Sequence, residues 1–481
     1  MSRMTTLAKV HAMLPGSNLL NISIEDAQAL VLSKVGTDSR QIEQGELFVA
    51  LIGERFDAHN FLLDVAQSGA AAVLISRSDA CPPNFPALCV PDTKAALGCL
   101  AKAWRSEFAI PVAVVTGSNG KTTVKEMIAS IFKAAVGESN TLVTQGNFNN
   151  DIGLPLTLLR MRPNDRLAVI ELGMNHPGET AELAVIAQPT IALINNAQRE
   201  HQEFMATVEA VAEEHAAVLS ALPLNGVAVF PAGTKFSELW RQAAAGRKVI
   251  DFDLASKGES SNAAVIGHLL ADGKLQIQAE QDQIDVQLNT LGAHNLRNAL
   301  AASAIALGAG LSLQNIQDGL QSFAPVNGRM QAKQVNARIT LIDDSYNANP
   351  DSVRAAIDAL YQSGNLSWLV LGDMGEVGDQ GPAFHQEVGA YAAERGIAKL
   401  FALGAQCEFA VRGFNAVKKQ KDQSMDALHF LELDPLLVEL GGALEAQSSN
   451  TTHLDILVKG SRFMRMERVV QALLEEAKTC S

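Results

Sequence analysis

The sequence has no apolar run of about 18 residues, the length a membrane-spanning helix needs, and residues 1–11 lack the continuous apolar stretch of a signal peptide. The expectation is a cytoplasmic protein with no membrane insertion. Cysteine is scarce: Cys81, Cys89, Cys99, Cys407 and Cys480 are odd in number and fall without metal-ligand spacing. That pattern argues against a disulfide framework and for reduced thiols. Positive charge is also short, with 38 Lys and Arg against 52 Asp and Glu and a formal net charge of -14. Such a balance opposes non-specific attachment to nucleic acid, so no nucleic-acid partner is expected and an anionic ligand must be held by local groups. Low-complexity tracts and short-period repeats are absent as well, which excludes fibrous and solenoid architectures.

What is present is the composition of a folded protein, 47% hydrophobic and 19% charged. A chain of 481 residues exceeds what one core can serve, because single cores stop growing at about 250 to 300 residues. Prolines interrupt helical text at Phe108-Ala109-Ile110-Pro111 and Ser322-Phe323-Ala324-Pro325, suggesting three domains, 1–109, 110–322 and 323–481. The first mixes short apolar runs at 47–51 and 71–75 with helical segments, a small α/β unit. The second alternates helices with continuous apolar runs at 112–115, 167–170, 191–194 and 226–230, which implies a doubly wound, mostly parallel sheet covered on both faces. The third repeats that style at 339–342, 368–371, 400–403 and 455–458 and reads as a second, Rossmann-like unit. The fold class expected is therefore α/β throughout.

Chemistry is concentrated in Thr116-Gly117-Ser118-Asn119-Gly120-Lys121-Thr122-Thr123, which follows the 112–115 run and opens an amphipathic helix marked by Val124, Met127, Ile128, Ile131 and Phe132. Gly117 and Gly120 allow successive backbone N–H groups to turn toward phosphate oxygens, and the helix N-terminus adds its partial positive charge. Lys121 can then reach the β- and γ-phosphates of ATP, and the Thr122 hydroxyl can hold Mg²⁺. The spacing is shorter than the usual Gly-x-x-x-x-Gly-Lys-Ser/Thr, since Val115 stands five before Gly120. Two further strands end in polar residues, Ile170 before Glu171 and Ile194 before Asn195, Asn196 and then His201. Ligands of open parallel sheets collect at the carboxyl ends of strands, so these ends should converge. Glu171 is a candidate Mg²⁺ ligand or a solvated strand-end carboxylate, and His201 a site residue or a surface histidine.

With these residues in view, the chain closely resembles the Mur ligases of peptidoglycan synthesis, which share a short Gly-x-x-Gly-Lys-Thr loop. Residues 37–40 and 47–59 look like the family's uridine-nucleotide segments. The resemblance carries that role to Ser39, Arg40, Arg55, Asp57 and His59, although a turn followed by a buried strand would read the same way. Arg40 and Arg55 are candidate partners of a diphosphate or uracil. Gly146-Asn147-Phe148-Asn149-Asn150-Asp151 resembles the loop facing the muramoyl substrate. Asn295, in Gly292-Ala293-His294-Asn295, resembles the adenine-contacting helix start, or is an ordinary cap. Arg329, in Asn327-Gly328-Arg329-Met330, resembles the hinge arginine that reaches ATP phosphate.

The segment Asp343-Asp344-Ser345-Tyr346-Asn347-Ala348-Asn349-Pro350 points to the branch that adds a D-alanyl-D-alanine dipeptide, and an Asp-Asn-Pro-Arg signature of the amino-acid-adding branches is not found. Asp343 would join the nucleotide site, and Tyr346, Asn347 and Asn349 the substrate site. Gly372-Asp373-Met374 with His385, and Lys459-Gly460-Ser461-Arg462, agree with that branch.

The resemblance implies an ATP- and Mg²⁺-dependent ligase acting on UDP-MurNAc-tripeptide and D-Ala-D-Ala through an acyl phosphate, with Lys121, Arg329 and His201 catalytic and Thr122, Glu171 and His201 at the metal. A monomer is carried as the expectation for assembly. Two competitors stand beside it, a nucleotide-gated switch and folylpolyglutamate synthetase, which should lack the N-terminal uridine domain. One departure is clear. Many Mur ligases carry, some fourteen residues after the histidine matching His201, a lysine that forms a carbamate, and here His215 stands at that place with no lysine between Lys133 and Lys235. His215 is expected either to hydrogen-bond a metal-bound water or to pack.

Overall fold

Continuous apolar strands need cover on both faces, and the arrangement of the chain provides it. A computed structural model of the protein describes residues 3–200, 202–256, 260–421, 426–447 and 451–479. Among these residues three larger sheets follow one another along the chain.

The first is five-stranded, in the order Asn18–Leu20, Ala87–Cys89, Ala72–Ile75, Glu46–Val49, Lys34–Gly36, parallel except at the first pairing. The second is nine-stranded, in the order Thr141–Val143, Leu167–Glu171, Val112–Thr116, Ile191–Ile194, Val227–Pro231, Lys248–Leu254, Val265–Leu269, Leu275–Ala279, Asp282–Val286. Its strands run parallel as far as Val265–Leu269, and the last two add an antiparallel hairpin. The third is six-stranded and parallel save for the antiparallel edge strand Gln331–Asn336.

Alternation of side chains explains the cover. Val112 and Val114 face one core, which also takes in Leu97, Leu100 and Trp104 of the helix Thr93–Arg105 and Leu47 and Leu74 of the first sheet. Ala113 and Val115 face the other core, against Val124, Ile128 and Phe132 of the helix Lys121–Val136 and Leu300 and Ile305 of the helix Ala293–Gly308. Because the N-terminal sheet shares a core with the central one, the two are joined by apolar packing rather than by a bare linker. Phe323, within the second proline seam, is buried in the central core too. The C-terminal sheet is likewise covered on both faces, with Leu369 and Leu371 on one side and Trp368 and Val370 on the other. No helix among the described residues is long and apolar enough to cross a membrane.

Strand order positions the site. The chain leaves Val112–Thr116, crosses to Thr141–Val143, returns through Leu167–Glu171 and then passes to the opposite side at Ile191–Ile194. The carboxyl end of Val112–Thr116 is therefore a switch point, where crossovers diverge and leave a crevice. Register puts Glu171 beside Val115 and Ile194 beside Thr116, so all three strand ends meet there.

Candidate active site

The turn between Thr116 and the helix Lys121–Val136 depends on glycine at both places. Gly117 has φ of 132° and Gly120 φ of 80°, and a Cβ at Gly120 would lie 2.8 Å from Asn298 Oδ1. The turn is braced from the neighbouring strand end. Asn196 Oδ1 accepts from Asn119 N at 2.9 Å, and the side-chain amides of Asn195 and Asn196 both donate to Asn119 O, at 2.8 and 2.9 Å. Asn195 also donates to Asn298 Oδ1 at 2.9 Å, and Asn298 donates to Asn295 Oδ1 at 3.1 Å. Asn195 and Asn196, the polar residues at this strand end, thus act here as braces of the loop.

The loop floors a cleft of about 1120 Å³ between the central and C-terminal sheets. Lys121 folds back on it, its ammonium donating to Gly117 O and reaching Glu200 Oε2 at 3.4 Å. The Thr122 hydroxyl accepts from Arg329 Nη2 at 2.9 Å, and the Arg329 guanidinium lies over the Tyr346 ring at 4.2 Å, which fixes its plane. Asn349 caps the helix Pro350–Ser363 and donates to Asn119 Oδ1 at 2.8 Å. Asn347, Ser118 and Thr123 line the same cleft. On the far wall, Asn149 donates to Glu171 Oε1 at 2.8 Å, Asn150 Oδ1 accepts from Gly153 N at 2.9 Å at the start of the helix Gly153–Leu158, and Asn147 is exposed.

A divalent cation fits this wall. Glu171 is 2% exposed and its Oε2 is buried without a hydrogen-bond partner, an oxygen lone-pair site on the cleft that Thr122 also lines. His201 lies outside the described residues; its neighbours Glu200 and Gln202 line the cleft. A second group of potential ligands, Asp373, His385 and Cys407 in the C-terminal unit, is already spent. His385 Nε2 accepts from Met374 N and its Nδ1 donates to Gly381 O, while Asp373 caps the helix Cys407–Gln420 through Cys407 N. Burial pushes the His385 imidazole down and the Cys407 thiol up, so both stay neutral as structural groups.

Asp343 is placed differently from the expectation, whereas Asn295 lines the cleft and His215 packs, one of the two alternatives expected of it. Asp343 is turned away from the cleft, with Lys333 Nζ at 2.6 Å and the Ser345 hydroxyl at 2.6 Å on its oxygens; the carboxylate lining the cleft is Asp344, bonded to Lys459 Nζ at 2.5 Å. Neighbouring residues of a strand face opposite sides, so only one of the pair can point there. Asn295 has its amide on Thr290 Oγ1 and Leu291 O, at 2.9 and 2.8 Å, so its donors hold the helix start. His215 is fully buried, with Thr116 Oγ1 at 3.0 Å from Nδ1 and Glu200 Oε1 at 2.9 Å from Nε2. It is a hydrogen-bonded strut, and Glu200, which it holds, is a cleft carboxylate that motif reading passes over although it immediately precedes His201.

The N-terminal residues lie apart from the cleft. Asp57 accepts from His59 Nδ1 at 2.6 Å and from Arg77 Nη1 at 2.7 Å, and His59 Nε2 accepts from Ser76 N at 3.0 Å. Both therefore stitch the first sheet together. Ser39 sits in the turn beside Arg40, which is bonded to Asp38 through both arms at 2.8 Å and remains 84% exposed; Arg55 is exposed.

A phosphate loop at the switch point of a parallel sheet, capped by cationic and amide groups from a second α/β unit, defines an enzyme that handles a nucleoside triphosphate between domains. The Mur ligase middle domain matches residues 115–306, and the Mur ligase, glutamate ligase domain matches residues 328–437. The UDP-N-acetylmuramoyl-tripeptide--D-alanyl-D-alanine ligase of Escherichia coli (strain K12) is 38% identical over 465 residues, 96% of this chain and 98% of that protein. Its counterpart of the same name from Haemophilus influenzae is 35% identical, over 96% of this chain and 98% of the relative. The crystal structure of MurF from Acinetobacter baumannii superposes with a TM-score of 0.86 at 32% identity, covering 98% of this chain and 99% of that one. The chain belongs to the Mur ligase family. It is an ATP-dependent ligase, and the relatives just described match nearly its whole length.

Proposed function

We propose that the protein joins D-alanyl-D-alanine to UDP-N-acetylmuramoyl-tripeptide at the expense of ATP, in peptidoglycan precursor synthesis. The observation that carries the reading is the meeting of Arg329 and Asn349, from the C-terminal unit, with Thr122 and Asn119 of the phosphate loop. A carboxylate becomes open to attack by an amine only once its oxygen is a leaving group; transfer of the γ-phosphoryl from ATP to that oxygen gives an acyl phosphate and ADP, and the amine then displaces phosphate. Lys121, released from Gly117 O, and Arg329 neutralise the charge that moves with the phosphoryl group. Mg²⁺ would be held by Thr122 and Glu171, with His201 as the further ligand read from sequence, and would screen phosphate charge.

The dipeptide is read as lying against Tyr346, Asn347 and Asn349, and the muramoyl peptide against Asn147, Asn149 and Asn150. Arg40 and Arg55, with Ser39, are the groups for the uridine diphosphate. Seating of the C-terminal unit about a hinge near Pro325 keeps water from the acyl phosphate. Domain limits of 1–109, 110–322 and 323–481, a monomeric chain and a cytoplasmic reaction complete the reading.

The test is phosphate release by the purified protein with ATP, Mg²⁺, UDP-MurNAc-tripeptide and D-Ala-D-Ala, with mass detection of the pentapeptide. Release that requires both substrates, with a product heavier by the dipeptide less one water, is the expected result. ATP hydrolysis indifferent to both would favour a nucleotide-gated switch. Tripeptides ending in diaminopimelate and in lysine, run side by side, separate the two substrate types.

A further inference from the structure

Two consecutive residues of the loop that follows the central strand Ile191–Ile194 reach in opposite directions. Arg199 points into the C-terminal unit. Its guanidinium meets Asp351 at 2.6 Å and Glu387 at 2.7 Å, its backbone N–H donates to Asp351 Oδ2 at 2.9 Å, and it lies over the Phe384 ring at 5.2 Å. Arg354 joins the same Glu387 at 2.8 Å, so the arginine is gripped by two helices, Pro350–Ser363 and Gly381–Glu394. Glu200 points back into the central unit. It is 6% exposed, with one oxygen on His215 Nε2 at 2.9 Å and the other 3.4 Å from Lys121 Nζ. His215 in turn is anchored on Thr116, the last strand residue before the phosphate loop.

A forked guanidinium held by two carboxylates is geometrically restrictive, and a carboxylate fixed through a fully buried imidazole has little freedom. One peptide bond joins them. A shift of the C-terminal helices that keeps Arg199 gripped therefore pulls on Glu200 and on its contacts with His215 and Lys121. We propose that Arg199 and Glu200 form a coupling element, in which seating of the C-terminal unit on Arg199 sets the position of the phosphate-loop lysine. Arg199 is in this sense a positioning residue: it acts on ATP through Glu200 and Lys121. The proposal rests on the ligase reading of the cleft.

The test is a double-mutant cycle on the full chain, Arg199→Met and Glu200→Gln singly and together, read as kcat and KM for ATP, KM for the uridine substrate, and ADP affinity by calorimetry. Each single change is expected to lower kcat/KM for ATP about tenfold while KM for the uridine substrate stays within about twofold, and the double variant should be no worse than the poorer single one. Arg199→Lys should recover only part of the loss, since an ammonium cannot span both carboxylates. Losses that multiply in the double variant, or an Arg199→Met enzyme with wild-type ATP kinetics, would overturn the coupling. Should an Arg199 variant fail to fold, Asp351→Asn paired with Glu200→Gln makes the same comparison and leaves the arginine in place. Wild-type ligation tests the function separately, and the ADP-affinity cycle still reads the coupling if the acceptor proves different.

Discussion

At the phosphate loop, Asn119 has its N–H on Asn196, its carbonyl on two asparagine amides and its side chain on Asn349. In the N-terminal unit, Arg40 pairs with its near neighbour Asp38 and stands 84% exposed. The hydrogen bonds from Arg40 hold the Asp38 carboxyl down to about 2, so that pair is ionic at any working pH. On the proposed reading the two regions serve different tasks. A loop that stabilises charge in motion must not reorganise when the charge moves, and so it is braced before any ligand arrives. A region that only anchors a substrate can keep its arginine in an exposed ion pair, which contributes little and is readily exchanged for a phosphate oxygen.

The contrast breaks first at Lys121. Lys121→Ala is expected to lower kcat by about a thousandfold or more, because a single group that neutralises a transferring phosphoryl is worth that much. The fold should persist: the side chain bonds only the loop's own carbonyls and Glu200, and the helix it opens is anchored by Val124, Ile128 and Phe132. Turnover near wild type in a variant with an unchanged circular dichroism spectrum would show that the braced loop is not the phosphate site.

Much of this was legible in the sequence, for reasons that differ from one element to the next. Parallel strands buried on both faces write themselves as continuous apolar runs, so 112–115 and 167–170 could be read directly. The hairpin of Leu275–Ala279 and Asp282–Val286 alternates apolar and polar residues instead, and a reading keyed to continuous runs passes over it. The phosphate loop is a local motif, whereas its bracing joins Asn119, Asn195 and Asn298, which no spacing rule connects. The exchange of Asp343 for Asp344 has the same origin. A motif states that a carboxylate is present, but the face of the strand that meets the cleft is set by the packing of Leu341 and Ile342 into opposite cores. Asp57 and His59 fall in the uridine segment of the family, yet their hydrogen bonds to Arg77 and Ser76 are internal ones that only the fold could reveal.

Arg40 offers a way to sharpen the comparison rather than break it. Arg40→Ala is expected to raise KM for UDP-MurNAc-tripeptide roughly tenfold, as loss of one charge-assisted bond would, and to leave KM for ATP within about twofold. Thermal stability should hardly move, since the side chain is exposed and its partner is a neighbour in sequence. Equal rises in both KM values would mean that the exposed arginine is not a separate anchor.

The smallest effect expected is none at all, and it follows from the strut behind the phosphate loop. A carbamylated lysine supplies a carboxylate-like group near the metal in many members of the family. Here His215 occupies that place, fully buried between Thr116 and Glu200, and no lysine occurs between Lys133 and Lys235. The lysines near the site are committed elsewhere: Lys121 to the loop and Glu200, Lys125 to Glu126 and Thr144 O, Lys459 to Asp344. Glu200 already presents a permanent carboxylate to the cleft, held by the imidazole, so CO₂ has nothing to contribute. Ligation in CO₂-depleted buffer should therefore match that in bicarbonate within about twofold. His215→Lys removes the imidazole from Glu200 and Thr116 and puts an amine in their place, which should slow the enzyme and can make the remaining rate respond to bicarbonate. A bicarbonate-reversible loss of activity in the wild-type protein would show that a lysine from another part of the chain reaches the metal wall, and that Glu200 does not take the place of the carbamate.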